Sequence, residues 1–141
     1  TGRIIFLDRG TDYVKENMVC LNSWGLIGKV FEVGKDFSKC ICLNDLNSRV
    51  PAKVERTQEQ GLVYGTINGI RLEMKYLNKH SAAQTGDRII TSGLGEVYPP
   101  GILIGTISEL RTDANYKIAV ILPAVDFLKL EEILLLGKNA K

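Results

Sequence analysis

The run Leu26-Ile27-Gly28-Lys29-Val30-Phe31-Glu32-Val33 returns 77 positions later as Leu103-Ile104-Gly105-Thr106-Ile107-Ser108-Glu109-Leu110. Both copies are rich in aliphatic residues and both run into turn residues, Gly34-Lys35-Asp36 after the first and Thr112-Asp113-Ala114-Asn115 after the second. That texture is the texture of a β-strand entering a hairpin. Upstream, Asn17-Met18-Val19-Cys20 aligns with Gly86-Asp87-Arg88-Ile89 at an offset of 69, so an eight-residue insertion falls in the Gly93–Pro100 region. Downstream, Ser38–Leu43 corresponds loosely to Asn115–Val120. A repeat of this kind marks one small β-unit used twice. It also explains Asn17: its counterpart Gly86 is expected in a left-handed conformation on entering a strand, and Asn is the next-best residue there.

The rest of the chain reads the same way. Strands are expected at 3–8, 18–22, 26–33, 39–43, 49–55, 62–66, 70–77, 88–91, 102–110, 116–122 and 133–136. The alternation is clearest in Arg71-Leu72-Glu73-Met74-Lys75-Tyr76, which puts Leu72, Met74 and Tyr76 on one side and the three charges on the other. Asn68-Gly69 predicts a type I′ hairpin. Only Asp126–Glu132 suggests a helical turn. The expected fold is all-β, two related small β-barrels of about six strands each with little helix. The first barrel is expected over 1–56, with an upstream strand missing. The second covers 57–136, with its late strands free to cross over to the first, and 137–141 form a tail.

Composition narrows the function. Hydrophobic residues make up 45% and charged residues 24%, a globular balance that argues against disorder. The net charge of +2 arises from 18 basic and 16 acidic residues spread along the chain, without the basic stripe that nucleic-acid binding needs. The longest apolar stretch, Ile118–Val125, is far short of the roughly 20 residues of a membrane-spanning helix. Thr1 has no Met before it and leads straight into a strand, so the chain is expected to be cut from a longer protein. Cys20, Cys40 and Cys42 are too few for a disulfide framework and read as small core hydrophobes, with a bridge from Cys20 to either of the others left open.

No catalytic pattern survives inspection. His80 is the sole histidine and sits in the polar loop Asn78-Lys79-His80-Ser81, and no serine lies in a protease-like nucleophile context. Gly25–Lys29 is too short for a phosphate-binding loop, and Val30 stands where Ser or Thr would hold magnesium. Gly93-Leu94-Gly95 lacks the third glycine and the helix of a dinucleotide site. Asp8, Asp45, Asp87 and Asp126 fall at strand ends or turns, where Asp serves local hydrogen bonding. No catalytic residue, cofactor or metal site is therefore expected. The aromatic residues form no stripe in the sequence. Trp24, at a hairpin tip where its ring either meets a partner or folds back onto the core, and Tyr98-Pro99, in the rigid insertion Tyr98-Pro99-Pro100-Gly101, are the candidate partner contacts.

Three segments together resemble the MreC family. They are Leu43-Asn44-Asp45-Leu46-Asn47-Ser48-Arg49-Val50-Pro51-Ala52, then Gly86–Gly95 with Pro99-Pro100-Gly101-Ile102, and Pro123-Ala124-Val125-Asp126-Phe127 before Leu130-Glu131. Asn44, Leu46, Val125 and Asn17 depart from the commoner residues. The resemblance implies a β-domain on the extracytoplasmic (periplasmic) side of the inner membrane, anchored by a helix absent here. It also implies a non-enzymatic scaffold of the cell-elongation complex and no cofactor. The implied partners are a class B penicillin-binding transpeptidase, MreD, MreB, RodZ and RodA, with dimers or higher self-assembly. Two other readings stay open. A peptidoglycan- or glycan-binding module would group aromatic residues on one barrel face. A degenerate hydrolase would bury His80 against a carboxylate.

Overall fold

The computed structural model describes residues 3–137, and Lys138 and Lys141 of the expected tail lie outside that range. All eleven expected strands form, and no helix occurs among the described residues. They are β1 (Ile4–Leu7), β2 (Val19–Leu21), β3 (Leu26–Val33), β4 (Ser38–Cys42), β5 (Arg49–Val54), β6 (Gln60–Gly65), β7 (Leu72–Asn78), β8 (Arg88–Thr91), β9 (Leu103–Thr112), β10 (Tyr116–Pro123) and β11 (Leu134–Leu136). Six of them close a barrel in the order β10-β7-β6-β5-β8-β9. The other five make a sheet in the order β1-β4-β3-β2-β11, where a second six-stranded barrel was expected.

One strand lies on the other side of the expected division at residue 56. β5 pairs with β6 and β8, so Arg49–Val54 is barrel, not first unit. β11, at the far end of the chain, pairs with β2, so the crossover left open for the late strands joins it to the five-stranded sheet. The crossing between the sheets is the turn at Asn44–Ser48. Asp45 Oδ2 accepts from the backbone N–H of Arg3 at 2.6 Å and its Oδ1 from Asn47 at 2.8 Å. Asn44 Nδ2 donates to Gly69 O at 3.0 Å. Asn44, Asp45 and Ser48 are all buried. This family-like segment is thus a polar joint, and its hydrogen bonds satisfy backbone groups that burial would otherwise leave costly.

The sequence repeat is a structural repeat. Asn17 (φ 68°) and Gly86 (φ 92°) are both left-handed, and their N–H groups donate to Val30 O and Ile107 O at 2.9 and 2.8 Å. Ile27 bulges out of the β2–β3 ladder and Ile104 out of β8–β9. Phe31 and Ser108 are likewise skipped where β3 meets β4 and β9 meets β10. A Cβ on Gly28 would lie 1.9 Å from Ile41 O, and one on Gly105 2.2 Å from Leu122 O, so both positions demand glycine. The downstream alignment needs correcting. Gly28 pairs with Cys42 and Gly105 with Pro123, which matches Ser38–Cys42 to Ala119–Pro123. The β9–β10 hairpin is longer than β3–β4, and spacing alone conceals that.

Three local expectations differ. The β6–β7 turn has positive φ at Gly69 (69°) but not at Asn68, so it is no type I′ turn; Gly69 N–H instead donates to Thr66 O at 3.0 Å. Asp126–Glu132 makes a single turn closed by Lys129 N–H to Asp126 O, without a helix. Tyr76 has φ 72° and is 53% exposed, while its neighbour Leu77 is buried. The bulge between β7 and β10, where Met74 pairs with Ala119 and Leu77 with Lys117, reverses the alternation and turns Tyr76 outward.

Two apolar clusters fill the interior. The barrel core gathers Val50, Val63, Leu72, Met74, Ile89 and Ile121, and Leu26 and Leu43 of the sheet side pack into it. The second cluster holds Cys20, Cys40, Cys42, Ile27 and Val30 against Val125. All three thiols are free and buried, and thiol neighbours and burial push Cys40 up from its ordinary value. They serve as core hydrophobes.

Candidate partner-binding surface

The β2–β3 hairpin presents Trp24. Asn22 Oδ1 accepts from the N–H groups of Trp24 and Gly25 at 2.9 and 3.2 Å, which closes a tight turn. Gly25 lies against β9, where an added Cβ would meet Leu103 O at 2.6 Å. The tip is therefore clamped to the barrel with the indole 71% exposed. An exposed, positioned aromatic of this size is the feature that anchors partner contacts.

The insertion behaves differently. Tyr98, expected at an exposed tip, is only 4% exposed and packs in the barrel core. Burial pushes its phenol up from the ordinary value of 10.0. Pro99 is half-buried, and its carbonyl accepts from Thr91 Oγ1 at 2.6 Å. The apolar ring was satisfied from within because the insertion folds back over the barrel. Trp24 stands alone of the three as a fully presented side chain.

A groove of about 490 Å³ opens between the sheet and the barrel, lined by Ile4, Ile70, Leu122, Phe127 and Leu128 among others. Leu128 is 95% exposed and Ile70 63%. Such exposed apolar side chains beside an open groove suit a partner surface.

A third feature was missed in the sequence. Tyr64, Tyr76 and Tyr116, on β6, β7 and β10, form a row on the barrel's outer face. Tyr76 meets Tyr64 edge-on at 6.4 Å between ring centres and Tyr116 at 5.7 Å. Arg49 and Lys75 lie over the Tyr64 ring at 5.2 and 4.7 Å. The hydroxyls of Tyr64 and Tyr76 are 3.5 Å apart. That contact, helped by Arg49 and Lys75, holds the Tyr64 phenol below its ordinary value, and the same contact pushes Tyr76 up. Only the strand register brings these residues together, so no local pattern could show them.

His80 is exposed, and its backbone N–H donates to Asn78 Oδ1 at 2.8 Å. Among the described residues no carboxylate pairs with it, and it is not buried as a degenerate hydrolase would require.

A family model for rod shape-determining protein MreC, barrel core, matches residues 1–137. The chain belongs to the MreC family. The MreC of Listeria monocytogenes is 34% identical over 96% of this chain and 48% of that protein, so the chain spans about half of that relative. A crystal structure of MreC from Pseudomonas aeruginosa superposes with a TM-score of 0.91 at 27% identity, covering 96% of this chain and 90% of that one. A structure of the complex between penicillin-binding protein PBP2 and MreC from Helicobacter pylori shares the fold, with a TM-score of 0.72 at 18% identity over 84% of this chain and 75% of that one. Within this MreC fold, Asn44-Asp45 forms the joint and Gly86-Asp87 opens β8. Both shape the fold.

Proposed function

We propose that this chain is the extracytoplasmic binding domain of a non-catalytic scaffold in the bacterial cell-elongation complex. It binds a class B penicillin-binding transpeptidase and shifts it toward an active arrangement, which requires tighter binding to that arrangement than to the resting one. The single observation that carries this is membership of a family named for rod-shape determination. The Helicobacter pylori complex supports the choice of partner. The anchor is a membrane helix outside this chain, and MreD, MreB, RodZ, RodA and further copies of the protein complete the assembly.

Trp24 and Pro99 are the proposed contacts, and buried Tyr98 acts by holding Pro99 in place. Titration of the chain against the ectodomain of its cognate transpeptidase tests this, with light scattering to follow self-association. Saturable binding weakened about tenfold by Trp24→Ala is the expected result, the loss of one aromatic anchor. No binding at high concentration overturns direct contact through this domain, and binding indifferent to Trp24→Ala moves the contact elsewhere.

A further inference from the structure

The tyrosine row has a cost and two unspent charges. Tyr76 is an aromatic residue with φ 72° inside a strand. A residue other than glycine is strained in that conformation, and it persists only where the surrounding structure imposes it. Without the bulge, the alternation would bury Tyr76 beside Leu72 and Met74; with it, the ring joins Tyr64 and Tyr116 on the surface. Arg49 and Lys75 sit at this row, and no carboxylate among the described residues pairs with either, whereas nearby Glu73 is taken by Arg111 at 3.4 Å. Tyr76 and Tyr116 are 53% and 44% exposed. The face is therefore aromatic, hydroxyl-bearing and cationic.

We propose that the face built by Tyr64, Tyr76, Tyr116, Arg49 and Lys75 binds the wall glycan, an amino-sugar polymer carrying acidic peptide stems. The chemistry matches part by part. The exposed rings of Tyr76 and Tyr116 offer apolar surface to the C–H faces of sugars and hydroxyls to their polar groups. Arg49 and Lys75 complement the stem carboxylates, and Tyr64 keeps their side chains in place through cation–π contact. The row runs across three neighbouring strands of the barrel, an extended array that suits a polymer better than a small ligand. The choice of glycan rests on the shape-determining role proposed above. The surface lies on different strands from Trp24, so the two bindings are separable.

Co-sedimentation of the chain with purified, protein-free peptidoglycan tests the assignment. The key variant is Tyr76→Gly, because glycine accepts the left-handed conformation and removes the ring without unfolding the bulge. Retention on the wall is expected for the parent. It should fall about fivefold in Tyr76→Gly and in Tyr116→Ala, the scale of one lost aromatic contact. Arg49→Gln with Lys75→Gln should reduce it too, and more so at low salt. Peptidoglycan stripped of its peptide stems should lose the contribution of these two cations alone. Equal pelleting of parent and Tyr76→Gly, with circular dichroism confirming that both are folded, overturns the proposal. So does loss of transpeptidase binding in Tyr76→Gly with wall retention unchanged, which would make the row a protein contact. Failure of the transpeptidase titration with wall binding intact leaves this assignment standing.

Discussion

At the scale of single residues, backbone geometry decides more than side-chain chemistry. Asn17 and Gly86 do the same work, each left-handed and each donating its N–H to the carbonyl of the fifth residue of its repeat strand, Val30 or Ile107. Asn tolerates this conformation and a β-branched residue does not. Asn17→Gly is therefore expected to leave stability within about 0.5 kcal/mol of the parent, and Asn17→Val to cost about 1–2 kcal/mol. Gly28→Ala is a harsher change, since the new Cβ would lie 1.9 Å from a carbonyl oxygen of β4. It should cost about 1–3 kcal/mol. Urea denaturation of the three variants checks the order. Equal midpoints for Asn17→Val and Asn17→Gly would mean the left-handed reading is wrong.

At the scale of elements, the joint and the matched bulges hold the two sheets in register. Asp45 spends both carboxylate oxygens on backbone N–H groups, one of them at the start of β1 and the other in its own turn. Removing it takes the carboxylate acceptor from both of these part-buried donors. Asp45→Ala is expected to destabilise by about 2 kcal/mol. Amide exchange should quicken first in β1 and at residues 44–48, while the barrel strands β5 to β10 stay protected until global unfolding. Uniform acceleration across both sheets would show that the joint and the barrel unfold as one. How much of an element was legible depended on how local its cause was. Strand positions followed from alternation and turn residues. The bulge at Tyr76 did not, because it depends on β10, some forty residues downstream, for the ladder it interrupts.

At the scale of the molecule, acid stability follows from the charges that folding gathers. Asp87 accepts from Arg56 Nε at 2.9 Å and from the N–H of Gln84 at 2.8 Å. Arg56 first, and then the Gln84 N–H, hold its carboxyl below the ordinary value of 3.8. The N–H groups of Asn115 and Tyr116 do the same for Asp113. The folded state therefore binds fewer protons than the unfolded state in this range. The stabilisation is fully present above the ordinary carboxylate value and is lost as the pH falls through the depressed folded values. Thermal midpoints measured downward from neutral pH should decline in that acid window, and Asp87→Asn should flatten part of the decline while Asp113 keeps the remainder. An unchanged slope in Asp87→Asn would place the acid-sensitive group elsewhere.

What the sequence determined by itself was whatever short-range patterning controls: eleven strands, the duplicated β-unit, the left-handed Asn17, the buried thiols and the family likeness. These rest on alternation, turn chemistry and glycine demand, all of which act within a few residues. Tertiary structure alone decided which sheet β5 and β11 join, that Tyr98 is interior, and that Tyr64, Tyr76 and Tyr116 share a face. Those outcomes depend on pairing between strands far apart in the chain. A single-residue shift in a ladder moves a side chain from core to solvent, and only the partner strand specifies the shift.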